Sequence, residues 1–364
     1  MAHSQTRDLA RYRELAQASS LQMRNPQARA IFDRMLSADV RVDWMRDEQA
    51  GMFMAPFVSP AVAAAADIVC VGIPMEKSVP LRFGTAKAPG IVREWSQWCG
   101  PVHEPFGTVP FDQCSIVDMG DLDLRGDSID DQAAEIQAAF TPFADAGANT
   151  FAVGGEHTMT LPILRSLAAR GPLGLVIFDA HSDTGGGLDP DNRDPLAVYD
   201  ASWLRLAVVE GLIDPERCIQ IGLRGRTNHF WDFGHETGMR MISADDFAEL
   251  GVRETIAQAL EVVGDGPCYL TLDSDVIDPI DLPGVGLPEP FGVRARDVRD
   301  IIRGLRGLDV VGADLTELAP LLDPTEQSGN IAAHLCFEML AVLADARARR
   351  EGMIRQTDWS PESA

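Results

Sequence analysis

The sequence has little basic charge for its size. Its 364 residues include 31 lysines and arginines against 55 aspartates and glutamates, which gives a formal net charge of −24. A protein this acidic repels phosphate backbones and anionic lipid head groups. We therefore expect it to bind neither nucleic acid nor a membrane surface, and we expect neutral or cationic partners.

Long hydrophobic runs and paired cysteines are also missing. An apolar stretch such as residues 61–66 is far too short to span a bilayer. The N-terminal residues show no apolar signal-peptide core, and their acidic side chains argue against a transit peptide. The six cysteines form no C-x-x-C pair and no zinc-binding spacing, so they are predicted to be buried thiols in a reducing compartment. These absences favour a cytoplasmic protein.

What is present is an alternation of short apolar runs and longer amphipathic segments. Most of the runs are continuously apolar, which is typical of parallel strands covered on both faces. The predicted strands cover residues 68–73, 114–119, 150–153, 173–178, 218–223, 268–272 and 309–315, and the segments between them with helical spacing cover residues 128–144, 158–169, 252–263 and 295–305. This order predicts an α/β fold of three αβα layers around a doubly wound, mostly parallel sheet.

The predicted αβα domain covers residues 67–350, and no repeat or low-complexity linker divides it. Residues 1–66 are expected to form an N-terminal helical arm, which either packs on the domain or a neighbouring subunit or closes over the site. Residues 351–364 are expected to be a C-terminal tail. Further helices are predicted at residues 8–18, 26–36 and 330–350.

Three clusters of polar residues follow predicted strands, at the sheet edge where open parallel sheets carry their functional sites. They are Gly154-Gly155-Glu156-His157, Asp179-Ala180-His181-Ser182-Asp183 and Asp273-Ser274-Asp275. A spacing of two residues in extended chain places alternate side chains on one side. One such cluster is explained by turns and helix caps alone, whereas three together are not.

Four carboxylates and two imidazoles, with no thiolate, form a set of oxygen and nitrogen ligands that suits Mn, Ni or another divalent ion. Six ligands are enough for two ions that share bridging carboxylates. A metal pair of this kind lowers the pKa of a bridging water toward neutrality, so the clusters predict a hydrolytic site.

At these residues the sequence resembles the ureohydrolase family of arginases and agmatinases. Residues 154–157, 179–183 and 273–279 match its GGDH, DAHxD and DxDxxDP motifs. Further segments resemble its R-P-G-x-R-x-G-P loop, its PGTGTPEP loop and its D-x-x-E-x-x-P strand end; they are residues 82–89, 283–290 and 314–320. The resemblance spans nearly all of residues 67–345 and implies an arginase-like sheet of about eight strands.

Carried over residue by residue, the resemblance implies two divalent transition-metal ions, Mn or Ni, with Asp179 and Asp275 as the bridging ligands. The implied ligand set is His157, Asp179, His181, Asp183, Asp273 and Asp275. Glu317 is implied to pair with the guanidinium or amidine of the substrate through two charge-assisted hydrogen bonds. The implied reaction is attack of hydroxide on the guanidinium carbon and cleavage of a C–N bond, in a trimer or hexamer.

Asp200 is the main departure from the family pattern. Most relatives carry a His at this place, about twenty residues beyond DAHxD, which is thought to shuttle a proton to the leaving amine. This sequence has no His between His181 and His229. Asp200 therefore either relays protons in its place or holds a cationic part of the substrate. Its unperturbed pKa near 4 favours the second role unless burial raises it.

Two smaller departures mark a divergent member of the family. Glu156 stands where the family has Asp beside the metal-ligating His157. The segment at residues 82–89 has Phe83, Ala86 and Ala88 in place of Pro, Arg and Gly.

The connection between residues 184 and 200 carries four aspartates and one arginine. It is either a solvated acidic loop or a lining that attracts a compact cation without a carboxylate, such as guanidine, a substituted guanidine or a biguanide.

Three functions fit these residues. The first is a binuclear-metal hydrolase of a guanidino or biguanide compound, which releases urea or a urea-like product plus an amine or ammonia. The second is a divergent subunit of a hetero-oligomer, in which a related chain that keeps the His does the chemistry. The third is a sensor without activity, which the complete ligand set argues against.

Overall fold

The computed structural model describes residues 8–17, 51–78, 81–187, 193–225 and 230–353. Within these residues it contains one sheet of eight strands in the order β2-β1-β3-β8-β7-β4-β5-β6. The strands are β1 Ile68–Ile73, β2 Ile116–Asp121, β3 Asn149–Gly154, β4 Leu173–Phe178, β5 Ile213–Leu223, β6 Arg240–Ser243, β7 Pro267–Asp273 and β8 Asp309–Thr316. Every neighbouring pair in this sheet is parallel. The predicted α/β fold is therefore confirmed.

Helices connect the strands. They are α1 Leu9–Gln17, α2 Pro60–Ala63, α3 Ala88–Ser96, α4 Pro110–Gln113, α5 Ile129–Ala146, α6 Thr160–Leu167, α7 Trp203–Val209, α8 Trp231–Thr237, α9 Ala244–Val263, α10 Ala295–Gly304 and α11 Gln327–Arg350. Helix α5 shows how the local sequence sets such an element. The hydroxyl of Ser128 accepts a hydrogen bond from the Asp131 amide, the Asp131 carboxylate accepts from the Ser128 amide, and Gly147 ends the helix at a φ of 75°.

Two apolar cores lie on the two faces of the sheet. Successive residues of β1 alternate between them: Ile68 and Cys70 belong to one core, and Val69 and Val71 belong to the other. One core packs under α3, α9, α10 and α11, and the other packs under α5, α6 and α7. Because both faces are covered, strands such as β1 and β4 are apolar throughout, as the runs in the sequence predict.

Most predicted strands agree with the structure to within a few residues. Strands β1 and β4 have the predicted bounds, whereas β2 is displaced by two residues and β5 begins five residues earlier. Strand β6 was not predicted. It is a four-residue edge strand in which only Ile242 is buried, so its sequence contains no apolar run.

The predicted helix at residues 8–18 corresponds to α1, and the predicted helix at 26–36 lies outside the described residues. Residues 51–58 pack on the domain, where the Met52 amide donates to the buried Asp118 carboxylate at 2.7 Å. The bounds of the N-terminal arm and of the C-terminal tail stay predictions. All six cysteines are free thiols. Among the described helices, none combines the length and the apolar character that crossing a membrane requires.

Candidate metal centre and substrate pocket

The predicted site residues converge at the carboxyl ends of four neighbouring strands, β3, β8, β7 and β4. His157 follows β3, the Asp179 cluster follows β4, the Asp273 cluster ends β7, and Glu317 follows β8. All seven of these side chains belong to residues no more than 8% exposed: His157, Asp179, His181, Asp183, Asp273, Asp275 and Glu317. The structure thus brings together residues that lie up to 160 positions apart in sequence.

His157 faces three carboxylates through one ring nitrogen. Its Nδ1 lies 3.2 Å from Asp179 Oδ2, 3.3 Å from Asp183 Oδ2 and 3.2 Å from Asp273 Oδ2. The opposite nitrogen, Nε2, lies 2.8 Å from the hydroxyl of Thr271. Donation from Nε2 to Thr271 leaves the Nδ1 lone pair directed at the carboxylates, which is the tautomer that a metal-ligating His requires.

His181 forms a second group beside the first. Its Nδ1 lies 2.9 Å from Asp275 Oδ2 and 3.8 Å from Asp179 Oδ1. Its backbone is fixed at both ends, since its amide donates to Asp179 Oδ1 at 2.6 Å and its carbonyl accepts from Gln220 Nε2 at 2.7 Å. Its Nε2 lies 3.7 Å from Glu289 Oε1.

The two groups share Asp179. Potential ligand atoms of His157, Asp179 and Asp183 lie within 4.8 Å of one another, and so do those of Asp179, His181 and Asp275. Two of these atoms, His157 Nδ1 and Asp179 Oδ2, are buried without a hydrogen-bond partner among the described residues. Buried polar atoms without a partner are costly, and metal coordination satisfies them. The site therefore fits a pair of divalent ions that share the Asp179 carboxylate.

The buried carboxyl groups of the site also favour bound cations. Burial and the neighbouring Asp183 carboxylate raise the pKa of Asp179 to about 8. Burial and Asp275 raise the pKa of Asp273 well above its usual range. Burial acts in the same direction on Asp275, but the His181 imidazole outweighs it and lowers the pKa of that carboxyl. Crowded carboxylates of this kind stay ionised only beside positive charge.

Glu317 is joined to the predicted ligand His157 by a hydrogen bond from the backbone. Its Oε1 accepts a hydrogen bond from the His157 amide at 2.8 Å, and its own amide donates to the Gly155 carbonyl at 2.9 Å. Its φ of 59° lies in the left-handed region, which is uncommon for a residue other than glycine. Burial and the nearby Asp200 carboxylate raise the pKa of Glu317 well above its usual range.

Asp200 lies in a short 3-10 turn, Asp200–Ser202, that precedes α7. Its side chain lines a cavity together with Glu317 and predicted metal ligands. Its Oδ1 is buried and has no hydrogen-bond partner among the described residues. Burial and the Glu156 carboxylate raise the pKa of Asp200 well above its usual range. The cavity is lined by His157, His181, Asp183, Asp200, Asp273, Asp275, Leu287 and Glu317. Neither Lys nor Arg belongs to this lining among the described residues.

Hydrogen bonds at or beside the two smaller departures from the family pattern fix neighbouring loops. The Glu156 carboxylate accepts hydrogen bonds from the amides of Lys77 and Ser78 at 2.7 and 2.6 Å, so it fixes the loop after β1. In the divergent segment, Arg82 donates to the Val285 carbonyl at 2.7 Å and thereby joins this segment to the loop after β7. Nothing in the structure explains Phe83, Ala86 or Ala88.

The acidic connection between β4 and α7 is described only in part, because Asp189 and Asp191 lie outside the described residues. Asp194 is exposed, and its carboxylate accepts from the Leu196 amide at 2.9 Å. Of the described aspartates in this connection, Asp200 is the one that lines the cavity.

Three residues of the site were not predicted from the sequence. Thr271 lies two positions before Asp273 on β7, and this alternation is a signal that points to it. Trp203 and Glu289 contact the predicted ligands Asp183 and His181 from distant parts of the chain. Glu289 lies in the segment at residues 283–290 that resembles a family loop, but that resemblance did not assign it to the site.

Comparisons with known proteins show which family the chain resembles. The arginase family model matches residues 66–341. Guanidinopropionase of Pseudomonas aeruginosa is 38% identical over 300 residues, which cover 82% of this chain and 92% of that protein. The mitochondrial agmatinase of Gallus gallus is 33% identical over 288 residues, which cover 77% of this chain and 82% of that protein.

Among solved structures, the proclavaminate amidino hydrolase from Streptomyces clavuligerus matches with a TM-score of 0.77 and 31% identity, over 83% of this chain and 99% of that chain. The match to the family model and the relatives covers most of this chain. The chain belongs to the arginase family of ureohydrolases, as its motifs predict.

Proposed function

We propose that this chain is a binuclear-metal hydrolase that cleaves a C–N bond of a small cationic guanidino compound without a carboxylate. The products are urea or a urea-like compound plus an amine or ammonia. The observation that supports this most directly is the arrangement of two buried ligand groups sharing Asp179, with Glu317 and Asp200 in the same cavity.

The division of charge in the cavity supports a cationic substrate. Two divalent ions balance the four aspartates that are predicted to bind them. Glu317 and Asp200 remain as buried carboxylates with no Lys or Arg beside them in the described cavity lining. A delocalised cation is the partner that such carboxylates require.

When bound, the metal pair would supply a water of lowered pKa as the nucleophile for the guanidinium carbon. The chain positions the substrate. Glu317 is fixed by the amide of His157, so its carboxylate holds two guanidinium N–H groups at a constant distance from the ligand cluster. Asp200 accepts a further N–H from the other end of a compact substrate, and the buried surroundings exclude bulk water.

The same cavity argues against a guanidino acid. Guanidinopropionase is named for a substrate with a carboxylate, and such a group needs a basic or hydroxyl-rich partner. The described cavity lining offers imidazoles, carboxylates and Leu287 instead. Guanidine, a substituted guanidine or a biguanide therefore fits this site better.

A substrate panel tests the proposal. The purified chain is loaded with Mn or with Ni, and release of urea, ammonia and amine is measured with guanidine, methylguanidine, biguanide, agmatine and guanidinopropionate. We expect turnover of at least one cation without a carboxylate, and none without metal. Absence of turnover on the whole panel with both metals would argue against the proposal.

A second candidate function follows from Asp200, which stands where most relatives carry the shuttle His. In this case the chain is a subunit of a hetero-oligomer with a related chain that does the chemistry, instead of a homo-trimer or homo-hexamer. Expression alone and together with a paralogous chain separates the two. Activity that appears only in the mixture supports the second candidate.

A further inference from the structure

We propose that Trp203 is a positioning residue for the metal centre. Its side chain orients the two predicted ligands Asp183 and His157 at the same time. The inference rests on the proposed function, because it assigns a role toward the ions that these ligands hold. The indole Nε1–H of Trp203 donates to Asp183 Oδ2 at 2.6 Å. The indole ring also packs on the His157 imidazole, with the ring centroids 4.6 Å apart and an angle of 40° between the planes.

The two groups that Trp203 contacts are themselves neighbours. The Asp183 oxygen that accepts from Trp203 is the one that lies 3.3 Å from His157 Nδ1. The hydrogen bond restricts rotation of the Asp183 carboxylate, and the indole face restricts rotation of the His157 ring. Partners of this kind orient metal ligands, and their removal costs about 10–100-fold in metal affinity.

The first turn of α7 holds Asp183 by its backbone as well. The amides of Leu204 and Arg205 both donate to the Asp183 carbonyl, at 3.2 and 3.4 Å. Asp183 has a φ of 48°, in the left-handed region that residues other than glycine seldom adopt. Strained backbone of this kind persists where the surroundings fix it from several sides. Trp203 and its helix supply that constraint.

The turn Asp200–Ser202 leads directly into α7, whose first residue is Trp203. Trp203 is 0% exposed, so it is anchored in the core beneath this turn. One short segment, residues 200–203, therefore both contacts the predicted ligand Asp183 and lines the cavity at Asp200. The competing explanation is that Trp203 is an ordinary core residue, which predicts an effect on stability and none on the metal.

Trp203→Phe separates the two explanations, because it keeps an aromatic ring on His157 and removes the N–H. The affinity of the metal-free protein for Mn and for Ni is measured by competition with a chelator. We expect a 10–100-fold loss of affinity at one ion site. Trp95→Phe, at a partly buried tryptophan outside the site, is the matched control and should leave the affinity unchanged.

A second replacement keeps the test valid if the Phe variant does not fold. Exchange of Trp203 for 3-benzothienylalanine retains the size and shape of the indole and replaces the N–H by sulfur. The same loss of affinity with this residue supports the inference. Unchanged affinity, with or without a lower Tm, would overturn it and leave Trp203 as a packing residue.

Asp179→Asn distinguishes failure of this inference from failure of the proposed function. If Asp179→Asn abolishes metal binding and the Trp203 variants do not change it, the metal centre stands and the role of Trp203 is wrong. If the wild-type chain binds no metal tightly and Asp179→Asn changes nothing, the proposed function itself is wrong.

Discussion

Glu317 and His157 are joined by a hydrogen bond from the His157 amide to Glu317 Oε1 at 2.8 Å. One of these residues is proposed to hold the guanidinium, and the other is predicted to bind metal. The bond therefore sets the distance between the Glu317 carboxylate and the predicted metal ligands. The left-handed backbone of Glu317 is a local strain that this bond and the bond to Gly155 maintain.

We expect Glu317→Gln to fold and to keep its metal, because the amide oxygen still accepts from the His157 amide. The kcat/KM on the best guanidino substrate should fall by about 10²–10³-fold, since a group aimed at the developing charge is worth that much. The measurements are steady-state kinetics and metal analysis. Glu326→Gln is the matched control, at an exposed residue that also has a left-handed backbone. Activity within twofold of wild type would contradict the role of Glu317.

Asp200→Asn and Asp200→His test Asp200, the carboxylate that is predicted to stand in place of the family's His. Loss of one charge-assisted hydrogen bond to the substrate should lower kcat/KM on the native cation by about 10–100-fold, mainly through KM. The His variant should gain activity on guanidinopropionate relative to guanidine or biguanide. Kinetics on both substrate classes measure the change, with Asp194→Asn in the exposed part of the same connection as the control. Unchanged kinetics on every substrate would show that Asp200 does not contact the substrate.

Metal stoichiometry tests the sharing of Asp179. We expect about two ions per wild-type chain, because two ligand groups are present. Asp179→Asn should reduce binding at both positions, whereas His181→Ala should reduce binding at one, because His181 belongs to a single group. Elemental analysis after dialysis against a weak chelator gives the count. Wild-type binding of a single ion, or an equal effect of the two variants, would contradict a shared carboxylate.

The strands were predictable where a continuous apolar run in the sequence forms a strand that is buried on both faces. All six residues of β1 and of β4 are buried, and both strands read as apolar runs. Strand β6 lies at the sheet edge with one buried residue, so it carries no such pattern. The comparisons confirm the predicted family and enzyme class, a hydrolase of C–N bonds in linear amidines. Both were predictable because the family motifs are short, continuous segments at strand ends.

The supporting residues of the site could not be predicted in the same way. Asp183 and its partner Trp203 are twenty positions apart, and they meet only because α7 packs back against the end of β4. Glu289 reaches His181 across a loop of irregular backbone. Periodicity predicts which side of a strand a residue occupies, but it does not predict which loop lies above that strand.

An ion pair of the buried Glu338, outside the cavity lining, gives the last prediction. Glu338 of α11 lies 2.6 Å from His103 Nε2 and accepts from Arg303 Nε at 2.8 Å. Burial raises the pKa of the Glu338 carboxyl, but the hydrogen bonds from His103 and Arg303 outweigh it and lower this pKa from 4.5 to about 2. Because the folded value lies below the unfolded one, the carboxylate stabilises the fold fully above pH 4.5.

This contribution is lost as the pH falls from 4.5 to 2, since the folded protein must then take up a proton that the unfolded chain already holds. We expect Glu338→Gln to lower the free energy of unfolding by about 1–2 kcal/mol at pH 7, because it weakens the hydrogen bonds to His103 and Arg303 while the Arg303 side chain stays partly solvated. The variant should also lose less stability than wild type across that acid range. Urea unfolding at a series of pH values measures both effects, with the exposed Glu249→Gln as the control. Parallel pH profiles for wild type and Glu338→Gln would show that another carboxylate governs the acid sensitivity.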